Sequence, residues 1–549
     1  MSGHILRPYQ VEARDAIMRE FETVKSTLLV MPTGTGKTQA FTAVAAEFLH
    51  KGRVLVLAHR QELIYQAVNR FVEVTGETPD IEMGELSAPD YFGDRARVVV
   101  STIQTQISRG GRMQKNDPDD FALVIVDECH HACAESYVKT LEYYKSCPRL
   151  KILGVTATPD RADEEALGKV FETVAFDYEL PDAIQDGWLV PVMQRTVEVE
   201  GLDFSQMRTT AGDLNGADLA KVMEFEQVLH GVAAPTLELT GDRKTLVFAA
   251  SVAHAERLCE IFNRHQDGCA EWVCGKTPDE TRIEIVKRFA EKKFRILCNV
   301  GCFTEGFDDP SIEVIVMARP TKSRSLYAQM AGRATRALPG IVDGPPTADE
   351  RKAAIAASAK PNCEILDFVG NAGRHKLVSA ADILGGKHSE EAIARAKKII
   401  EKEGRELPSD VVLALEKAER QIRDEAEAKR RAMVKAKAKY STQFINPFEV
   451  FDIRPLPDRG WDTGKSLSEK QLTILRDKMG VDPSKYSYAQ QRQLLNEQFR
   501  RWHLRLATMK QLNLLRKFGR PTAEDMTMEQ AGAAIDALAR EKNWTRRAS

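Results

Sequence analysis

The sequence predicts an α/β protein with two tandem parallel-sheet domains, followed by a charged helical linker and a small, mostly helical C-terminal region. Three observations lead to this fold class. Short β-branched runs such as "TLLVM" and "LVIVDE" alternate with helical patterns up to about residue 161. The alternation resumes near residue 226 and continues to about residue 380. Beyond it, Ala, Glu, Lys and Arg dominate, which is typical of exposed helices. Because strands covered on both faces are continuously apolar, each alternating region is interpreted as one parallel sheet flanked by helices.

The boundaries of the alternating regions predict five parts. A Pro-, Gly- and Ala-rich stretch at 338–361 is interpreted as a surface insertion in the second domain. The predicted parts are a first domain at 1–162, a connecting segment at 163–225, a second domain at 226–380, the linker at 381–440 and the C-terminal region at 441–549.

The C-terminal region contains an internal repeat. "KQLTILRDKMG" at 470–480 recurs as "KQLNLLRKFG" at 510–519. Each copy is predicted to form a helical hairpin, in which glycine ends one helix and Ser487 or Thr527 caps the next. We expect these repeats to offer a surface for a protein partner.

The composition is that of a large multi-domain protein. A chain of 549 residues exceeds one hydrophobic core and predicts roughly three to five domains. No apolar run reaches the length of about 18 residues that a membrane span needs, so no membrane role is expected. The N-terminus lacks a secretory pattern, and the nine cysteines form no disulfide framework, which favours a protein that stays in the reducing cytoplasm where it is made. A net charge of −2 gives no global attraction to nucleic acid, so such binding requires local grooves.

The sequence "MPTGTGKT" at 31–38 predicts a phosphate-binding loop, because it follows the apolar strand "TLLV" and precedes a helical stretch. Glycine-rich backbone and the start of a helix cradle phosphates. Lys37 would contact the β- and γ-phosphates, and the Thr38 hydroxyl would hold Mg²⁺. Met31 stands where the general pattern has its first glycine. The backbone of the loop itself comprises Thr33, Gly34, Thr35 and Gly36.

"LVIVDE" supplies the acidic partner of this loop. Asp127 and Glu128 come directly after a buried strand, about 90 residues beyond the loop. At that position Asp127 can bind Mg²⁺ through water, and Glu128 can polarise the water that attacks the γ-phosphate.

Two arginines in "QMAGRATR" complete the predicted hydrolysis site. Arg333 and Arg336 lie three residues apart, which puts them on one face if the segment is helical. An arginine supplied across a cleft can stabilise the charge of the γ-phosphoryl transition state. We therefore expect ATP hydrolysis to depend on closure of the two domains.

These motifs together resemble superfamily 2 helicases and translocases, the DEAD/DEAH-box-like motors with two RecA-like domains. In order along the chain, the similar segments are "LRPYQ", "GTGKT", "AHRQEL", "STIQT", "DECH", "TAT", "LVFAAS", "TEGFDDP" and "QMAGRATR". Finer similarity, in "DGWLVP" and the stretch 299–336, is to the RadD-like and XPB-like branch, and the C-terminal region resembles that of helicases encoded by phages and prophages.

The resemblance implies further site residues. Arg7 and Gln10 would face the adenine, Gly306 and Asp308 would contact the nucleotide, and Gln329 would join the two arginines in catalysis. His130, Thr156 and Thr158 would couple hydrolysis to motion, with His130 meeting Gln329 across the cleft. Four residues would line a nucleic-acid path: Arg60, Thr102, Thr304 and Ser323. Local capping or packing is the alternative role for these four.

The predicted function is an ATP- and Mg²⁺-dependent motor, and the resemblance implies that it acts on DNA. The DNA would be a single strand or a branched or forked duplex, bound through sequence-independent contacts with its backbone. Two alternatives stay open: a DNA-stimulated ATPase that remodels protein–DNA complexes without separating strands, and the motor subunit of a restriction or defence complex. A metal-binding regulatory module with a degenerate nucleotide site is a fourth class, which the intact ATPase motifs disfavour.

The stretch "DECHHACA" at 127–134 raises a zinc hypothesis, because two cysteines and two histidines fall within five residues. Four ligands so close in sequence cannot easily surround one ion tetrahedrally. Cys298 and Cys302 could in principle complete a site with Cys129 and Cys133. The sequence favours the ATPase motif, with Mg²⁺ held through the nucleotide.

Overall fold

This computed structural model describes residues 6–541 apart from 60, 85, 87–94, 109–111, 158–160, 211, 304–306, 372–376, 387, 404–407, 435–445, 452, 458, 519, 521 and 524. The contacts divide the chain into two compact units, 1–425 and 426–549. The first unit contains both sheets, and the second is helical.

The strands in chain order are β1 (Ser26–Val30), β2 (Arg53–Ala58), β3 (Asp80–Glu82), β4 (Val98–Thr102), β5 (Phe121–Val126), β6 (Lys151–Thr156), β7 (Thr173–Asp177), β8 (Val192–Asp203), β9 (Thr209–Thr210), β10 (Asp213–Leu214), β11 (Thr245–Ala249), β12 (Ala270–Cys274), β13 (Ile296–Val300), β14 (Val314–Ala318), β15 (Cys363–Asn371) and β16 (Ser409–Asp410).

The helices of the first unit are α1 (Pro8–Glu20), α2 (Lys37–Ala46), α3 (Gln61–Thr75), α4 (Ile103–Gln106), α5 (Arg112–Lys115), α6 (Glu135–Tyr144), α7 (Arg161–Val170), α8 (Leu180–Gln185), α9 (Gly216–Met223), α10 (Glu226–Thr240), α11 (Val252–His265), α12 (Asp279–Ala290), α13 (Arg324–Ala331), α14 (Ala348–Ala357), α15 (Ala380–Leu384) and α16 (Glu390–Glu403). The remaining helices are α17 (Val411–Val434), α18 (Pro447–Phe451), α19 (Glu469–Thr473), α20 (Tyr488–His503), α21 (Met509–Lys517) and α22 (Met528–Glu541).

The first sheet has seven parallel strands in the order β3-β4-β2-β5-β6-β1-β7. Its central strands are buried along their whole length, as their continuous apolar runs predict. Val30 at the end of β1 pairs with Thr156 at the end of β6. Parallel strands end at one edge, so the phosphate-binding loop, the acidic pair and Thr156 all emerge on the same side.

The second sheet has the order β12-β13-β11-β14-β15-β8-β16, with β16 antiparallel at its edge. Its strands are also buried runs, such as β11 and β14. The predicted fold class of two parallel-sheet α/β domains followed by a helical region is confirmed.

Two predicted parts contribute directly to the sheets. The predicted connecting segment 163–225 supplies β7 to the first sheet and β8 to the second. Within the predicted linker 381–440, β16 pairs with β8. The boundaries drawn from sequence therefore separate residues that share a sheet, because strand pairing joins positions that are far apart in the chain.

Residues of the segment that connects the two sheets also pair with the segment that carries the predicted catalytic arginines. The backbone N–H of Val190 donates to the Thr335 carbonyl at 2.8 Å, and Leu189 and Arg336 form an antiparallel bridge. One hydrophobic core continues from Leu180 and Val190 to Met330 and Ala334. The position of Arg336 is thus fixed by residues almost 150 positions earlier in the chain.

The second unit repeats its helix caps at a period of 40 residues. Ser468 and Thr508 each accept from the backbone N–H three residues on, and the glutamine there completes a capping box in both copies. Ser487 caps α20 in the same way, and the Thr527 hydroxyl accepts from the N–H of Gln530 at the start of α22. These caps support the predicted two-copy repeat. The first helix continues past α19 as a π-helical segment, Ile474–Met479, and ends at Gly480 with φ +68°.

Candidate active site

The phosphate-binding loop connects β1 to α2. Gly34 and Gly36 have φ of +91° and +79°, a left-handed conformation that favours glycine. The Thr35 hydroxyl donates to the Pro32 carbonyl at 2.7 Å and stabilises the turn. Lys37 is the first residue of α2, so the loop directs its N–H groups and the helix start at one point.

The structure also explains the departure at Met31. Its side chain is buried, and its N–H donates to the Thr156 carbonyl at 3.0 Å, as in a continuing strand. The backbone of Met31 does not adopt a positive φ, so no glycine is required there. The missing first glycine leaves the rest of the loop intact.

The acidic pair lies opposite the loop. Both carboxylates are buried, and the Lys37 ammonium lies 3.0 Å from Oε1 of Glu128. Burial raises the pKa of Asp127 to about 6, and the adjacent Glu128 charge adds to this rise. Burial also acts to raise the pKa of Glu128, but the charges of Lys37 and His130 outweigh it and hold that pKa well below its ordinary value. The Glu128 carboxylate is therefore ionised at neutral pH.

Glu128 has an unusual backbone, with φ +47° and ψ +52°. Its N–H donates to Oδ1 of Asp127 at 3.0 Å, and the N–H of Asp127 donates to the Leu57 carbonyl at 2.9 Å. Non-glycine residues in this region carry strain that the surrounding structure must offset. The turn places both carboxylates at the carboxyl edge of β5 and directs them to one cavity.

The two arginines lie beyond the end of the preceding helix. Helix α13 ends at Ala331, and the bridge to Leu189 gives Arg336 an extended backbone. The arginines therefore do not share a helical face, but both side chains still line the cavity. The reason is that backbone pairing with the segment between the sheets takes over after α13.

The arginines are held by the second domain and approach the loop of the first. Nη1 of Arg333 donates to the Phe307 carbonyl at 2.5 Å, and Arg336 forms an ion pair with Asp308. A β-carbon built on Gly34 would lie 3.0 Å from Cγ of Arg336. Burial lowers the pKa of Arg336 to about 10, which leaves it charged at neutral pH.

One cavity of about 960 Å³ collects most of the predicted nucleotide residues. Its walls come from both sheets. The predicted residues on its walls are Arg7, Gln10, Thr33, Gly34, Thr35, Gly36, Lys37, Thr38, Asp127, Glu128, Asp308, Arg333 and Arg336.

The base side of this cavity begins at α1. The Gln10 amide donates to the Thr35 carbonyl at 2.9 Å and accepts from the Arg7 N–H at 3.0 Å. The hydroxyl of Tyr9 also donates to the Thr35 carbonyl, at 2.8 Å. Gln10 is thus bonded directly to the phosphate loop, and Arg7 is connected to the loop through Gln10.

A tryptophan on this side was not assigned a role from sequence. Trp188 lies edge-on to Tyr9, with ring centroids 5.4 Å apart. The guanidinium carbons of Arg7 and Arg351 lie 5.0 Å and 3.9 Å from its ring centroid. The sequence contained "DGWLVP" as a similar segment, but nothing local indicated that Trp188 meets two arginines.

The predicted surface insertion at 338–361 reaches the cavity as well. Nη2 of Arg7 lies 2.8 Å from Oδ1 of Asp343. Arg351 is buried and donates to the Asp186 carbonyl at 2.9 Å and the Pro346 carbonyl at 3.0 Å. The reading of this stretch as surface alone is therefore wrong: Asp343 and the buried Val342 line the cavity.

The predicted coupling residues are only partly described. Nδ1 of His130 lies 3.5 Å from Oε2 of Glu128. Thr156 is buried at the end of β6, and Gln329 is buried in α13. A contact between His130 and Gln329 stays a prediction. Thr158, together with Gly306 from the nucleotide set, lies outside the described residues.

The predicted nucleic-acid residues divide in two. Arg60 and Thr304 lie outside the described residues. The hydroxyl of Thr102 accepts from the Thr105 N–H and caps α4, and Ser323 caps α13 in the same way. Thr102 also lines a second cavity of about 450 Å³, with His59 and Arg112. Capping is thus an observed role for both hydroxyls, and Thr102 additionally borders a cavity that includes Arg112.

The cysteines of the zinc hypothesis belong to separate cores. Cys129 is buried in a core of the first domain and Cys298 in a core of the second. Burial and the neighbouring acidic pair raise the pKa of the Cys129 thiol. Its sulfur therefore stays a neutral, packed side chain.

Two family models match the chain. One, described as the res subunit of type III restriction enzymes, covers residues 3–161, and the other, the helicase conserved C-terminal domain, covers residues 224–338. The first model covers most of the predicted domain 1–162, and the second begins near the predicted start at 226 but ends within the predicted domain 226–380.

Named relatives include helicases, translocases and restriction subunits. A Saccharomyces cerevisiae protein that bears the name ATP-dependent helicase IRC3 is 30% identical over 400 residues, which are 70% of this chain and 54% of that protein. The EcoAI type I restriction enzyme endonuclease subunit of Escherichia coli is 28% identical, over 61% of this chain and 44% of its own length. The DNA 3'-5' translocase XPB2 of Sulfurisphaera tokodaii is 23% identical, over 60% of this chain and 78% of its own length. The chain spans little more than half of the yeast relative.

A solved structure shares the fold. It is a fragment of an HsdR subunit of a type I restriction enzyme from Vibrio vulnificus YJ016, with a TM-score of 0.50 and 21% identity over 70% of this chain and 66% of that chain. In the described part of this chain, no helix has both the length and the apolar character of a membrane span.

Proposed function

Because this chain carries both motor domains of the superfamily 2 helicases, we propose that it is an ATP-driven motor that acts on DNA. The observation that carries the proposal is the shared cavity: Lys37, Asp127 and Glu128 of the first domain face Arg333 and Arg336 of the second. A catalytic site assembled from two domains makes hydrolysis sensitive to their relative position.

The residues divide the work of phosphoryl transfer. Lys37 is paired with Glu128 at 3.0 Å, and a bound γ-phosphate would compete for its ammonium. That competition would release the ionised Glu128 to orient a water and take its proton. Arg333 and Arg336 would offset charge on the transferring group. Opening of the cleft would withdraw the arginines from the site.

The cavity also fits Mg²⁺. The Thr38 hydroxyl and the Asp127 carboxylate both line it, and Mg²⁺ prefers such oxygen donors. When bound with ATP, the ion would neutralise part of the phosphate charge. The adenine base of ATP would lie toward Arg7 and Trp188, which line the same cavity.

DNA as the substrate is supported by the similarity to XPB2, whose name is that of a DNA translocase, and to restriction-enzyme subunits. The cavity lined by Thr102 and Arg112 lies beside the first sheet. A DNA strand bound there would be contacted through its sugar-phosphate backbone. Binding of this kind is independent of sequence and weakens with salt.

The deciding measurement is the rate of ATP hydrolysis with single-stranded DNA, duplex DNA, forked DNA and RNA of equal length. We expect stimulation by DNA above the rate with RNA. Equal rates with and without every polynucleotide would contradict the motor proposal. Stimulation by RNA alone would contradict DNA as the substrate.

A strand-displacement assay beside a translocation assay tests what the motion does. Translocation without displacement would favour the alternative in which the protein remodels protein–DNA complexes on duplex. The restriction-subunit model over residues 3–161 favours a further candidate, the motor subunit of a restriction or defence complex. Incubation of the purified chain with supercoiled plasmid and ATP should leave the plasmid intact, whether the chain is an independent motor or the motor subunit of a complex. Cleavage would show a nuclease within the chain.

A further inference from the structure

The near-neutral charge of the chain hides a strong division. Residues 426–549 contain 25 lysines and arginines against 14 aspartates and glutamates, a net charge of +11. Residues 1–425 contain 53 against 66, a net charge of −13. The second compact unit is therefore the basic part of the molecule.

An exposed aromatic pair lies on this basic unit. Phe499 and Trp502, on the last turn of α20, are 42% and 40% exposed, and their ring centroids are 5.6 Å apart. Leu504 follows with 53% exposure. We call these three residues, with the adjoining Arg505, the aromatic platform. Aromatic rings of this size are normally buried, so their exposure suggests a binding role.

A buried arginine lies between the two rings in sequence. Arg501 is 1% exposed, lies 2.8 Å from Oε1 of Glu497 and donates to the Ala507 carbonyl at 2.9 Å. Its guanidinium carbon is 4.8 Å from the ring centroid of Phe451. This end of α20 is thus fixed by an ion pair, a hydrogen bond and an aromatic contact.

The turn that follows α20 is fixed by its backbone. Arg505 has φ +54°, and its N–H donates to the Trp502 carbonyl at 3.3 Å. The Met528 N–H donates to the Arg505 carbonyl at 3.0 Å, and the Ala507 N–H donates to the Met526 carbonyl at 2.8 Å. The rings are therefore presented by a helix, and Leu504 and Arg505 by a preorganised turn, which reduces the entropy lost on binding.

The charges around the platform select the ligand. Between residues 483 and 523 the chain has nine lysines and arginines and a single acid, Glu497. Glu497 is buried and paired with Arg500 and Arg501. Arg505 is exposed. The segment paired with its turn carries the exposed acids Asp525 and Glu529, so the basic character of this surface comes from the stretch 483–523.

We propose that the aromatic platform binds single-stranded nucleic acid by stacking bases on Phe499 and Trp502 while Arg505 and neighbouring cations contact the phosphates. Exposed rings within a basic surface are the combination that single-strand binding requires. Symmetric pairing of two copies through this surface is disfavoured, because it would place two units of net charge +11 against each other. The inference extends the proposed motor function by a second contact with the strand, outside the ATPase domains.

The experiment measures the affinity of the full chain for fluorescent 20-residue oligo-dT and oligo-rU by anisotropy, without nucleotide. The Phe499→Ala/Trp502→Ala double variant should bind both about 5- to 100-fold more weakly, since stacking contributes that range per base. Phe225→Ala is the matched control, because Phe225 is an aromatic residue of the first unit with 61% exposure. It should bind like wild type.

Two further measurements separate the possible outcomes. Trp502→Phe, which keeps a ring, should restore most of the affinity that Trp502→Ala loses, whereas a packing role would make both variants lose thermal stability. Basal ATPase should be unchanged in all of these variants. Affinity of the double variant within twofold of wild type would overturn the proposal. The proposal would also be overturned if wild type sedimented as a dimer and the double variant as a monomer that still bound the oligonucleotides. Failure of DNA to stimulate ATPase would contradict the motor function while leaving the oligonucleotide result to decide the platform.

Discussion

The two seven-stranded sheets of the first unit share a parallel core but place different chemistry at their carboxyl edges. In the first sheet, strand ends lead into the phosphate loop and the acidic pair of Asp127 and Glu128. In the second, the buried acid Asp367 accepts hydrogen bonds from Tyr327 and Gln194 within the domain. Arg333 and Arg336 of this domain line the cavity shared with the first sheet. The comparison teaches that one fold can supply either the phosphate cradle or the cations that close over it, depending on the loops.

Removing the ammonium of the first sheet should have the largest effect. We expect Lys37→Ala to abolish nucleic-acid-stimulated ATP hydrolysis, because the loop would lose the charge that contacts the phosphates. Phosphate release with saturating DNA measures this. Lys145→Ala, at an exposed lysine of the same domain, should retain the wild-type rate. A near-wild-type rate for Lys37→Ala would remove the first sheet from the chemistry.

Removing a cation of the second sheet should come next. Arg336→Ala is expected to lower the hydrolysis rate by about 10³-fold, the lower end of the range for an arginine supplied across a cleft. Binding of a fluorescent ATP analogue should persist, since the loop in the first domain is unchanged. Arg264→Ala provides an exposed arginine of the same domain as control. Equal loss of ATP affinity and rate would show that Arg336 acts in binding.

The acids of the two sheets should differ in their effect on stability. Burial raises the pKa of Asp367 to about 7, well above that of an unfolded aspartate near 3.9. The folded state thus holds the proton more strongly, and stability from this group should fall as pH rises from about 4 to 7, then level off. Asp367→Asn should flatten this slope by on the order of 1 kcal/mol per pH unit, measured as the melting temperature against pH.

Asp349→Asn, at an exposed acid of α14, should leave that stability profile unchanged. A steeper profile in Asp367→Asn would mean that Asp367 is ionised throughout and stabilises the domain through its contacts with Tyr327 and Gln194.

The contact between Arg7 and Asp343 links the first domain to the insertion of the second and should have a small effect. Its carboxylate is 58% exposed, so the ion pair contributes at most about 1 kcal/mol. Asp343→Asn should therefore raise the KM for ATP up to about fivefold, with kcat little changed. Asp349→Asn serves again as the control in the same insertion. A fall in kcat without a change in KM would assign Asp343 to domain closure.

The smallest effect on hydrolysis is expected from the part of the chain outside both sheets. Deleting residues 441–549 should leave basal ATPase largely intact, because the sheets and the cavity lie within 1–425. The choice of polynucleotide should change, which the stimulation profile over single-stranded, duplex and forked DNA would report. Complete loss of basal hydrolysis would make the C-terminal unit part of the motor.

The elements that the sequence predicted well are those with a local signal. Buried strands such as β5 have six consecutive apolar residues, and the phosphate loop needs its glycines within four positions. The helix caps at Ser487 and Thr527 likewise follow from residues three positions apart. The sequence left the outcome open where a long-range partner decides it, as at Arg336, whose backbone pairs with Leu189 rather than continuing α13.

By itself the sequence determined the two parallel-sheet domains, their order and the residues of the phosphate loop and acidic pair, because these depend on short spacings that the backbone imposes. Only the tertiary structure decided that β8 joins the second sheet, that Asp343 reaches Arg7 across 336 positions and that Trp188 lies between two arginines. Such contacts have no local signature, since a side chain selects its partner after the sheets have packed. The base side of the cavity is therefore a product of packing, and its phosphate side a product of sequence.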